Sequence, residues 1–455
     1  MTTVNESEQP MTNTSTDAAK PMDMDSTENN PIDESEFTRK TIDNLGNRVR
    51  LTDKDETTNL ELFCYVQCNP SDNVMLRQCR GVVFHEDTLV MRAFPYTVEF
   101  NNEDVDQINE NIGTTMNDCT FYDAHEGTLI RMFYSQERWF ISTHRKLNAF
   151  RSKWASRESF GTAFKRALEY EVETNEELRN SIQDGDEGLL ERFQNTLDKT
   201  KQYMFLIRNS PENRIVCSAA EKPVIYHVGT FVDGVLVTTE DCKIPYPTKY
   251  TFSNVTELTD HVGKTDIRNL QGIICFAPNN KQFKIIHKDY QELFRARGNE
   301  PSIKFRYIQM RMNRRVVDML YHLYPEMATT FEDIENTIYE VAKNIYNAYV
   351  QRFIKKKFVT VPTEDFAVIK ECHKWHEMDR VGNRINIDKV IEVLNQQTPT
   401  SINRMVRRFR IENSEGNIKK QLNKDRIRSN TITSATDQPQ TTDNAGTSTE
   451  KMDVN

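Results

Sequence analysis

The feature that most constrains this chain is a change of hydrophobic period near residue 302. From Leu60 to about His287 the apolar residues come in short runs of strand character: "LELFCYVQC", "RGVVFHEDTLVMRAF", "TLIRMFY", "RWFISTH", "YMFLIRN", "RIVCSA", "VIYHVGTFVDGVLV", "GIICFAP" and "QFKIIH". Turn residues separate them, and Asp233-Gly234 is a hairpin signal because both residues tolerate positive φ. Lys146 to Phe193 interrupts the runs with helical spacing and many charges, which predicts inserted helices. After Ser302, "IKFRYIQMRMNRRVVDMLYHLYP", "TTFEDIENTIYEVAKNIYNAYVQRFIKK", "TEDFAVIKECHKWHEM" and "INRMVRRFR" carry apolar residues every three or four positions. Pro325, Pro362 and Pro399 punctuate these segments, and Thr330 with Asp333 reads as a capping pair before the second helix. The expected class is α+β: a mostly antiparallel sheet domain with inserted helices, then a small all-α domain.

At 455 residues the chain has room for two domains and tails. Residues 1–36 hold one Lys and nine Asp or Glu with almost no aliphatic side chains, and residues 419–455 are similarly polar, so both read as disordered tails. The sheet domain is expected over 37–302 and the helical domain over 303–418. The net charge of -9 argues against a uniformly basic surface, yet Ile303 to Arg410 holds 19 Lys plus Arg against 13 Asp plus Glu. No apolar run is long enough to span a bilayer and no secretory signal opens the chain, so an intracellular protein without a membrane partner is expected. The eight scattered cysteines suit reduced thiols.

Five segments in one order point further: "QCRGVVFHEDTLVMRAFPYTVEFNNED", "YDAHEGTLIRMFYSQERWFISTHRKLNAF", "YMFLIRNSPENRIVC", "LQGIICF" and "QFKIIHKDY". Together they resemble the RNA ligase family typified by the T-even bacteriophage enzyme: its E-C-R-G opening, its K-x-D-G-S-L-I nucleophile strand, its F-E-L-I-x-P-x-N-R-I-V segment, its E-G-x-V strand and its K-x-K-x-x-x-Y. The resemblance implies a nucleotidyltransferase-like fold in which a lysine attacks the α-phosphate of ATP while carboxylates and a second lysine manage metal and phosphate charge. Residue by residue, the nucleophile falls on Ala124, the nearby Asp on Glu126, the Glu of F-E-L on Ile207, the Glu of E-G on Gln271, and the K-x-K lysines on Lys284 and Ile286. A methyl group cannot attack phosphate. Strand alternation would aim Glu126 with Ala124 and His125 the other way, so His125 is a poor substitute nucleophile.

The resemblance leaves Arg80, Arg92, Arg145, Lys146, Lys284, Lys288 and Arg306 as candidate phosphate or nucleic-acid contacts, with Gly81, Arg131 and Thr143 beside them. The alternative is that these side chains sit at strand ends on a solvated surface. The basic stretches "ELFRARGNEPSIKFRYIQMRMNRR", "FIKKKF" and "MVRRFR" carry the same two readings. Cys372, His373 and His376 lack a second ligand pair at metal spacing, so no metal or other cofactor is expected. The polar tails, the ligase-like segments without their lysine and the appended helices together resemble the iridovirus immediate-early protein family. That resemblance implies a virus-encoded early protein, in host cytoplasm or at a viral replication site. As a pseudoenzyme it would be a noncatalytic scaffold for RNA or DNA ends, ATP, or viral or host proteins. The rival expectation is a divergent active RNA ligase with a displaced nucleophile.

Overall fold

The computed structural model describes residues 37–414 except 93, 209, 212, 240, 279 and 280. The two expected tails lie outside the described residues. Fourteen strands are described: β1 (Val49–Asp55), β2 (Leu60–Tyr65), β3 (Arg80–His85), β4 (Thr88–Met91), β5 (Val98–Asn101), β6 (Thr120–Ala124), β7 (Gly127–Ser135), β8 (Arg138–Ser142), β9 (Gln202–Arg208), β10 (Ile225–Val232), β11 (Val235–Val237), β12 (Lys249–Tyr250), β13 (Gly272–Phe276) and β14 (Gln282–Ile286). They form three sheets, ordered β1-β2-β3-β4, β11-β10-β9-β7-β8 and β12-β6-β13-β14-β5. Every pairing is antiparallel except β14 with β5, and the chain is α+β as expected.

Each sheet buries one face under helices. Ile130, Met132, Phe205 and Ile207 of the second sheet pack against Phe164, Leu168 and Phe193 from the inserted helices Phe160–Thr174 and Leu189–Asn195. Phe121, Ile273, Cys275 and Ile285 of the third pack against Ile108 and Leu258 from the helices Val105–Ile112 and Val255–Gly263. Each such fully buried side chain contributes about 1.5–3 kcal/mol relative to exposure. The other face of the second sheet, with Phe133, Phe140, Met204 and Phe231, packs against Leu60, Leu62, Val83 and Met91 of the first, and Phe94 and Phe276 join the same cluster.

After Ser302 the helices Ile303–Met310, Arg314–Leu323, Ala328–Tyr349, Thr363–Met378 and Ile387–Asn395, followed by helical residues 399–414, enclose a separate core around Phe331, Val341, Ile369, Val390 and Met405. Two expectations fail locally. The long helix starts at Ala328 with no side-chain cap, because the 3-10 turn Pro325–Met327 already leads into it, and Thr330 lies inside the helix. "RIVCSA" forms no strand, since the backbone donors of Ile215, Val216 and Cys217 go to a carboxylate instead of a neighbouring strand. No helix among the described residues is long and apolar enough to cross a membrane.

Candidate functional site

Of the ligase-matched positions, Ala124, Gln271, Lys284 and Ile286 come together across β6, β13 and β14. Ala124 closes β6 and stands opposite Gly272, Gly272 stands opposite Ile286, and Ile286 lies beside Asn101 of β5, so four positions form one row across the sheet. Gly272 has φ +148, and a Cβ there would come 2.1 Å from the Ile285 carbonyl oxygen, so the middle of the row admits only glycine. Ala124 is 4% exposed and Ile286 3%.

Gln271 ties the row to its surroundings. Its backbone N–H donates to Ala124 O at 2.9 Å, its carbonyl accepts from His287 N at 2.9 Å, and its Nε2 donates to His125 O at 3.3 Å. Lys284 Nζ donates to Gln271 Oε1 at 3.2 Å and sits 3.3 Å from Glu99 Oε1. Both exits for the lysine charge are therefore taken up within the sheet.

Glu126 turns elsewhere. β6 ends at Ala124, so the alternation expected through residue 126 stops two residues early, and the carboxylate leaves the row. It accepts from Ile215 N at 2.6 Å, Val216 N at 2.8 Å, Cys217 N at 3.0 Å and the Tyr290 hydroxyl at 3.1 Å. Burial first, and the Glu126 charge next, push the Tyr290 hydroxyl well above its ordinary pKa, which keeps it a donor. The anchored segment is held from the opposite side as well: Tyr324 donates to the carbonyls of Arg214 (3.0 Å) and Ile215 (2.9 Å), and fully buried Arg297 donates to Tyr324 at 2.8 Å. Val216, Cys217, Ile286, Tyr290, Leu323 and Tyr324 form one apolar seam between the sheets and the first helices that follow.

Ile207 is not brought to the row. It opposes Thr128 and Ile225 on the face of the second sheet that packs against the inserted helices, whereas Leu206, opposite Leu129 and Tyr226, takes the other face. His125 stacks on Tyr226 with centroids 4.6 Å apart, and burial, reinforced by the Arg208 charge, holds its imidazole down at about 4.

The candidate cations are mostly engaged. Arg92 is 8% exposed with its guanidinium 5.6 Å over Phe37. Arg80 is half-buried and donates to Pro95 O at 3.5 Å. Lys146 pairs with Asp53 at 3.3 Å and Lys288 with Glu103 at 2.8 Å. Arg306 donates to the carbonyls of Ala296 and Arg295, finishing the helix Lys288–Arg297. Arg131 is fully buried and bridges the carbonyls of Gly81 and Thr143. Arg145, three residues past the end of β8, is exposed. Cys372 is buried in the helical core and His373 stacks on Phe353 at 3.9 Å.

Sequence reasoning missed the anchoring partners. Ile215 to Cys217 were read as strand, and nothing in the sequence marks Tyr324 or Arg297 as reaching back to them. Tyr290 stood in the K-x-K-x-x-x-Y match, the one signal that could have flagged it.

The chain is 32% identical over 388 residues to the immediate-early protein ICP-46 homolog of Invertebrate iridescent virus 6, covering 76% of this chain and 80% of that protein. It belongs to that iridovirus family. A second ICP-46 homolog, from Invertebrate iridescent virus 3, is 28% identical over 360 residues and 73% of each chain. The Frog virus 3 (isolate Goorha) ICP-46 protein is 26% identical over 256 residues, which is 54% of this chain and 62% of that one. No family model matches. Solved structures similar to this family member include a putative ATP-dependent DNA ligase from Aquifex aeolicus, at 11% identity and TM-score 0.35 over 72% of this chain and 84% of that one. An archaeal ATP-dependent RNA ligase aligns at 9% identity and TM-score 0.34 over 62% of this chain and 75% of that one.

Proposed function

We propose that this immediate-early family member is a noncatalytic nucleic-acid-binding scaffold, built on an RNA-ligase-like sheet domain (37–302) and a helical domain (303–418). The observation that carries the reading is the fate of Glu126. The one carboxylate retained among the matched acidic positions is spent on three backbone amides and a tyrosine hydroxyl, so it has no coordination left for a metal or nucleotide. The neighbouring positions support the same conclusion: a methyl group at Ala124, an aliphatic chain buried in the seam at Ile286, and a lysine at 284 already bonded to Glu99 and Gln271. A nucleotidyl transfer needs a nucleophile and charge neutralisation at one point, and this row offers neither.

Of the expected partner classes, this reading takes RNA or DNA ends, at a cytoplasmic or viral replication site; ATP, or a viral or host protein, as the sole partner would overturn it. The test is incubation of the full chain with α-labelled ATP, and separately GTP, with magnesium or manganese, followed by denaturation. The expected result is no covalent label, on the native chain or on Ala124→Lys. Label on the native chain would establish the rival reading, an active ligase-like enzyme with a displaced nucleophile.

A further inference from the structure

The sequence carries three basic stretches, and the structure separates them by what their charges already touch. In "MVRRFR", Arg408 pairs with Glu364 and Asp365 and Arg410 with Asp333, which leaves Arg407 as its exposed cation, with no exposed ring beside it. In the stretch after Glu292, Arg297 is buried, Arg306 caps a helix, Arg311 bonds Glu335 at 2.6 Å and Arg315 pairs with Glu292. Lys304 and Arg314 are exposed there, but the exposed ring of that stretch, Phe294, already stacks on Tyr290.

"FIKKKF" differs on each count. Lys355, Lys356 and Lys357 are exposed, and no carboxylate among the described residues pairs with them. Phe358 directly follows and is 95% exposed; Ile354 precedes them at 64%. The turn is a fixed one. Lys355 N donates to Val350 O and Lys357 N to Gln351 O, each at 2.9 Å, and Lys356 takes φ +54 to close the bend.

We infer that this tip, Lys355 to Phe358, is a contact site for single-stranded nucleic acid, with phosphates on the lysines and a base stacked on Phe358. The inference rests on the scaffold reading above and moves its binding surface out of the sheet cleft. Unpaired cations beside an open aromatic face supply the two contacts that sequence-tolerant single-strand binding uses. A duplex keeps its base faces stacked inside and cannot use the ring. A lipid surface fits less well, because the lysine triplet separates Ile354 from Phe358 and leaves no continuous apolar face to enter a bilayer.

The experiment is fluorescence anisotropy of the full chain with labelled oligo(dT) and oligo(U), alongside a duplex of mixed sequence and phosphatidylserine vesicles. Phe358→Ala should weaken single-strand binding about 5- to 150-fold, the range that loss of one stacked base gives. Replacing all three lysines by serine should lower the slope of log affinity against log salt by about 2. These side chains point into solvent, so the variants keep the fold. Single-strand binding that neither variant weakens overturns this site and leaves the scaffold reading standing. Preference for the duplex, or binding to vesicles with none to oligonucleotides, overturns the site too. No binding to any nucleic acid by the native chain overturns both.

Discussion

Glu126→Ala tests the central structural claim. The change leaves three backbone N–H groups and the Tyr290 hydroxyl without their acceptor, at a position only 3% exposed. A buried donor deprived of its partner costs about 1–3 kcal/mol. With water entering to relieve part of this, the lower end for four donors gives about 4 kcal/mol, a large share of the 5–15 kcal/mol that holds a typical protein folded. Glu126→Gln keeps one acceptor oxygen and aims an amide at a donor, so about 2 kcal/mol is expected. Urea unfolding followed by tryptophan fluorescence reads the difference. Trypsin supplies a local readout, because Arg214 is held through Leu323 O and Glu326 and should become cleavable once its neighbours lose their anchor. If Glu126→Ala unfolds within about 0.5 kcal/mol of the native chain and Arg214 stays protected, the carboxylate is not the anchor and is free for a metal or nucleotide after all.

Further outcomes follow from the same geometry. Ile286→Lys, which would complete the K-x-K pattern, should destabilise by about 3 kcal/mol or more in urea unfolding, because it puts an unpaired ammonium into the apolar seam. It should also bring no nucleotide labelling. Gly81→Ala should cost about 2 kcal/mol or more, because φ is +76 and the new Cβ would sit 2.6 Å from His144 O; a thermal melt checks it. Acid should destabilise the fold before carboxylates titrate. His125 and His227 are both held at about 4 by burial, against an ordinary value near 6.5, so the unfolded chain takes up the protons first. Stability is full above 6.5 and falls as the pH drops toward 4, and His125→Gln should lessen the fall in melting temperature across that window, leaving the share of His227.

How much of this was legible depended on whether a residue's role was local. The strand runs, the Asp233-Gly234 hairpin and the helix Thr363–Met378 were readable because period and turn chemistry are written within a few positions. β1 was passed over because "VRLTDKD" is an edge strand whose charges face solvent, so it shows no apolar signal. At the site, the alanine at the position the ligase resemblance assigns to the lysine was visible from the order of the segments alone. The position of Ile207 on the helix-covered face was not, since it depends on which side of β9 the inserted helices cover. Least visible was Glu126, whose partners lie 89 to 91 residues away in the loop and 164 away at Tyr290. No local pattern encodes a pairing at that range.

The seam around Ile286 has a consequence for the history of such a chain. On the scaffold reading, the residues that replaced catalytic groups did not simply go silent; Ile286 and Glu126 became part of what joins the sheets to the helices. A lineage in that position is ratcheted. Each single step back toward the ligase pattern weakens the joint before it restores any chemistry, so descendants would explore new binding surfaces more readily than they would recover the ancestral reaction.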